Sequence, residues 1–157
     1  MQSSSTHAGN VVLLRGAALW ITAALILAWC MVGLFNHVPL LGDIFSGNFH
    51  RLLQAHIDFL LMSALILGFY AAKVPLPWHV RWAMVVGAFT NSSLFLLMAV
   101  FPSLDPATQG PHASGFVATL NQTYLFASLL TTSYGFGRGA MLVLRSTFDR
   151  VPGIDPL

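Results

Sequence analysis

Residues 51–73 read RLLQAHIDFLLMSALILGFYAAK, a membrane-length apolar run with a histidine, His56, and a carboxylate, Asp58, inside its first third. An Asp at the middle of a membrane helix costs roughly 2.5–3.5 kcal/mol on insertion scales. Such a group stays in hydrocarbon only where it finds a partner, a metal or a water-filled cavity. His56 is therefore the first functional candidate.

The rest of the chain is built in the same way. Its 157 residues allow one domain, spanning 1–157, and hydrophobic residues make up 56% against 8% charged. Water-soluble domains carry about 25% charged residues, so most of this surface must meet lipid. Seven basic and five acidic residues are too few for a nucleic-acid footprint. Cys30 is the single cysteine, which excludes an intrachain disulfide and a thiolate metal cluster. The first ten residues lack Lys and Arg, and the apolar stretch after them is too long for a signal-peptide core, so it reads as a retained anchor.

Four segments approach the roughly 20 residues that cross a bilayer, at about 11–35, 52–72, 80–101 and 115–144. Each must be helical, because lipid offers no partner to backbone amides. The expected fold is thus all-α, an integral-membrane four-helix bundle. The 36–50 connection is apolar enough for a short interfacial helix, 73–79 is a Pro-stiffened turn, and 102–114 is a Pro/Gly/Ser-rich loop without a basic residue. With four spans, Arg15, Lys73, Arg81, Arg138, Arg145 and Arg150 share one side and only Arg51 lies opposite. The positive-inside rule then makes both termini cytoplasmic, as in a bacterial-type inner (plasma) membrane.

The helical rise of about 1.5 Å per residue puts His56 and Asp58 in the outer half. Asn121, Gln122 and Tyr124 of the last span fall near the same depth, with Thr90 and Asn91 of the third within a turn or two. Polar groups in lipid face the bundle interior, so a shared pocket is expected. Each also has a plain structural reading. His56 can bond a neighbouring helix, and Asn91, Asn121 and Gln122 can serve as helix–helix glue. Asp58 points about 200° away from His56 and is expected to meet a subunit neighbour, Arg51 or interfacial water. Gly68, Gly87 and Ser92 permit close helix packing. Gly135, Gly137 and Gly139 are not a nucleotide loop, since no strand precedes them. His50 and His56 lack the i, i+4 spacing of a metal pair, and His37, His79 and His112 fall in loops on both sides. A lone intramembrane His suits single axial ligation of haem.

Three segments resemble small four-span membrane proteins of the styrene oxide isomerase and hydroxylaminobenzene mutase type. They are Gln54-Ala55-His56-Ile57-Asp58, Gly87-Ala88-Phe89-Thr90-Asn91 and Gln109-Gly110-Pro111-His112. The resemblance runs from about residue 50 to 144. It implies a homotrimer that binds haem b with His56 as axial iron ligand. It also implies rearrangement of a small apolar aromatic substrate, epoxide to aldehyde or aryl hydroxylamine to aminophenol, with ferric iron as Lewis acid. Met62 and Phe95 stand where the isomerases have an Asn and a Tyr that orient the epoxide. Asn91, Asn121 and Tyr124 are the groups left to contact substrate. The competing expectation is a small membrane subunit or assembly factor whose polar residues only pack against partner helices; a transporter would require an inverted repeat that this chain lacks.

Overall fold

A computed structural model describes residues 4–148, with side chains from Asn10 onward. The described residues are helical throughout, without strands: α1 (Ser4–Phe35), α2 (Pro39–Ile44), α3 (Phe49–Ala71), α4 (Trp78–Val100) and α5 (Gly115–Phe148), with a 3-10 turn at Pro102–Leu104. Three segments, Asn10–Phe35, Phe49–Ala71 and Trp78–Val100, are long and apolar enough to cross a membrane. At 34 residues α5 is the longest, but Thr, Ser, Asn and Gln interrupt it and it falls outside that group. Arg150 lies outside the described residues, as do the two chain ends whose side of the membrane the charge pattern addresses.

Local chemistry sets the helix ends. The Asn48 side chain caps α3 by accepting from the His50 N–H at 2.9 Å. Pro102 forces Phe101 into an extended conformation, and α4 stops at Val100. At the end of α1, His37 N–H donates to the Leu34 carbonyl and Val38 N–H to that of Gly33, both at 3.0 Å. This is a Schellman cap. His37 takes the left-handed position, φ 57°, that glycine usually fills.

The long helices alternate in direction. Asn10 of α1 donates from Nδ2 to the Val74 carbonyl at 3.0 Å, so the start of α1 sits at the α3–α4 turn. At the other end, the loop end, Gly47 N–H reaches the Ala99 carbonyl at 2.9 Å. A Cβ on Gly47 would stand 2.5 Å from the Met98 oxygen, so only glycine allows that approach.

Helix α3 packs between α1 and α4, and α5 packs chiefly on α4. One core cluster, toward the α3–α4 turn, holds Leu13, Ile66, Val80 and Met84; the other, toward the loop end, holds Ala24, Leu52, Ala55 and Phe59. Trp20 joins them. Its Nε1–H donates to the Val85 carbonyl at 3.1 Å, and its ring stacks on Phe89 at 4.8 Å. The α4–α5 contact depends on small residues: a Cβ on Gly87 would meet Thr132 backbone at 2.8 Å, and one on Gly135 would meet Met84 N at 2.7 Å. Gly68, expected to permit close packing, has nothing within 4 Å where a Cβ would stand.

Candidate functional site

Helix α3 presents His56 and Asp58 to different neighbours, as their helical separation requires. His56 lies half-buried against α1, with Nδ1 2.9 Å from the Ala24 carbonyl. That oxygen can only accept, so Nδ1 carries a proton, and in the neutral imidazole the lone pair is then on Nε2. Nε2 has no hydrogen-bond partner among the described residues.

Asp58 turns the other way. Its Oδ2 accepts from Asn91 Nδ2 at 2.9 Å and from Ser92 Oγ at 2.8 Å, both on α4. Within the chain its partners are thus on α4 and not Arg51, which is engaged by Asp105. The match follows from register: Asp58 is nine residues after Phe49, and Asn91 nine residues before Val100. Those two helix ends share the loop end, so both side chains sit about 14 Å along their helices. Asn91 is thereby held by Asp58.

A third group joins α4 to α5. Ser93 Oγ lies 2.7 Å from the Tyr124 hydroxyl and donates to the Thr90 carbonyl at 3.0 Å. Sequence reasoning passed over Ser93, although consecutive serines on a helix diverge by about 100° and so address two neighbours. Asn121, one turn from Tyr124, borders a cavity of about 420 Å³ with Leu97, Phe101, Val117 and Leu120. Tyr124 lines the cavity as well, but His56 does not. Gln122 is exposed. Within one chain the expected shared pocket therefore divides in three: His56 against Ala24 of α1, Asp58 with Asn91 and Ser92, and Ser93 with Tyr124 beside Asn121.

Arg51 is occupied at the loop end. Its Nε donates to Asp105 Oδ2 at 2.8 Å and its Nη2 to Oδ1 at 2.6 Å, a two-pronged ion pair tying α3 to the 102–114 loop. A third bond runs from Nη1 to Gln54 Oε1 at 2.8 Å. The Arg51 hydrogen bonds hold the buried Asp105 carboxyl below its ordinary value of 3.8 against the opposing effect of burial. The Ala107 N–H and the charges of Arg51 and His112 act in the same direction.

Among the described residues no three His, Cys, Asp or Glu side chains converge to hold a metal ion. A haem asks less, one axial imidazole with an open lone pair, and His56 meets that requirement. The interior of the chain offers a porphyrin no room beside it, because Trp20, Phe59 and Phe89 fill the α1–α3–α4 junction with ring centroids 4.8–6.2 Å apart. No family model, curated protein or solved structure matches the chain.

Proposed function

We propose that the chain is a four-span membrane protein that binds haem b through His56 and rearranges small, lipid-soluble aromatic molecules, of the epoxide-to-aldehyde or hydroxylamine-to-aminophenol type. The observation that carries this reading is the state of His56. Its Nδ1–H is fixed on the Ala24 carbonyl, and its Nε2 is left open on an apolar helix about 10 Å from the helix start. A ligating imidazole is usually oriented by such a bond from its other nitrogen.

In this reading α5 is the fourth span. Its outward face is apolar, with Phe116 79% and Leu130 70% exposed, which is unfavourable in water and favourable in lipid. Exposed Trp78 and Trp82 near Lys73 and Arg81 suit the headgroup level on the cytoplasmic side. Neighbouring copies, three by resemblance, supply the walls for a porphyrin that one chain lacks. Bound haem iron would supply Lewis acidity toward a substrate oxygen. The chain itself holds the imidazole, excludes water with its apolar helices, and offers Asn91, Asn121 and Tyr124 as polar contacts.

A second reading, a non-catalytic membrane subunit, is favoured by the Asp58–Asn91 and Ser93–Tyr124 bonds, which are already satisfied inside the chain. The visible spectrum of protein purified in detergent from haem-replete cells separates the two. A Soret band lost in His56→Ala and kept in His50→Ala supports the haem reading. A colourless wild type, or haem that survives His56→Ala, overturns it.

A further inference from the structure

We propose that the cavity between the loop ends of α4 and α5 is a binding site for a neutral, apolar small molecule bearing one hydroxyl group. Asn121 and Tyr124 also serve as polar contacts in the haem reading, but His56 lies on the α1 flank of α3 and does not border the cavity, so its occupancy can be read without haem.

Size and lining set the class of ligand. About 420 Å³ lies within the range of small-molecule pockets, and its walls are mostly apolar, with Ser103, Asn121 and Tyr124 as the polar residues. At roughly 30 Å³ per heavy atom, the liquid share of one water, it takes on the order of fifteen non-hydrogen atoms. No charged side chain lines it, so an ion is excluded.

The polar groups select the handle. Ser93 gives its proton to the Thr90 carbonyl, so the 2.7 Å bond between hydroxyls is donated by Tyr124. The Tyr124 oxygen is then left as an acceptor. Asn121, one turn away on the same wall, has a carboxamide without a partner among the described residues, and its NH₂ can donate. A ligand hydroxyl can give a proton to Tyr124 and accept one from Asn121 through a single atom. A ketone or ether could only accept.

Photolabelling with 4-(hydroxymethyl)benzophenone tests this, with 4-ethylbenzophenone as a probe of the same shape lacking the hydroxyl. In protein reconstituted in phosphatidylcholine nanodiscs, labelling should saturate and map to Leu97, Val117 and Leu120. The hydroxymethyl probe should reach half-saturation at about three- to tenfold lower concentration, the value of one to two hydrogen bonds. Asn121→Leu and Tyr124→Phe should bring the two probes together, and Val117→Trp should remove saturable labelling. Labelling that never saturates, that spreads to lipid-facing Leu25 and Leu61, or that treats the two probes alike in the wild type overturns the proposal. The wild-type readouts require no variant to fold, and none requires haem to be present. A colourless preparation that labels saturably keeps the cavity and defeats the haem reading, and a haem-loaded one that labels diffusely does the reverse.

Discussion

Asp58 and Asn91 close a 2.9 Å hydrogen bond between antiparallel helices, each nine residues from the same end of the molecule. The bond fixes the register of α3 on α4, and Ser92 reinforces it at 2.8 Å. Interhelical hydrogen bonds in membrane proteins average about 0.6 kcal/mol and reach about 1.7. A double-mutant cycle of Asp58→Leu and Asn91→Leu, read from unfolding in bicelles, should return a coupling within that range. A coupling of zero would show that the two side chains do not meet.

The Arg51–Asp105 pair makes stability depend on acid. Because the folded-state carboxyl titrates below its ordinary value, its contribution is complete above that value and is lost as pH falls through the lowered one. Thermal unfolding midpoints should therefore drop as the pH falls below about 4 in the wild type. In Asp105→Asn that part of the slope should be missing. An unchanged slope would assign the acid sensitivity to another carboxylate.

Glycines on three helices should respond in opposite directions according to their surroundings. Gly135→Ala places a methyl 2.7 Å from Met84 N, and Gly87→Ala places one 2.8 Å from Thr132 backbone, so both should loosen α5 and expose it to protease. Gly68→Ala meets nothing within 4 Å and should gain up to about 1 kcal/mol of helix stability. A loss at Gly68 would mean that another protein surface packs there.

If α5 is the fourth span, as proposed, six of the seven basic residues fall on one side. In a Cys30→Ala background, an impermeant maleimide added outside cells should label Gln109→Cys and leave cysteines placed at either terminus unlabelled. A labelled C-terminus would remove α5 from the membrane or invert the molecule.

Much of the helical layout could be read from composition and punctuation. The 52–72 and 80–101 segments lie within three residues of the ends of α3 and α4, since apolar runs must be helical in lipid and Pro77 and Pro102 bracket one of them. The 36–50 connection does contain a short helix, started by Pro39. Side-chain partners were harder to foresee. Helical phase separated His56 from Asp58 but could not name the helix each would meet. Counting from the helix ends that share a loop would have paired Asp58 with Asn91. Nothing comparable leads from Arg51 to Asp105, because an irregular loop carries no period from which to place its carboxylate.

The attachment of α5 to α4 has a consequence for the order in which the protein is made. The hydrogen bonds that join α1, α3 and α4, from Asn10 to Val74, Trp20 to Val85, His56 to Ala24 and Asn91 to Asp58, all lie within the first hundred residues. Those that hold α5 lead back to residues already synthesised: Thr132 to Gly87, Tyr124 to Ser93 and Tyr134 to His79. A chain leaving the ribosome N-terminus first can therefore assemble its three most apolar helices before the last one emerges. The final helix then docks on a finished surface, with the glycine notches at Gly87 and Gly135 setting where it comes to rest.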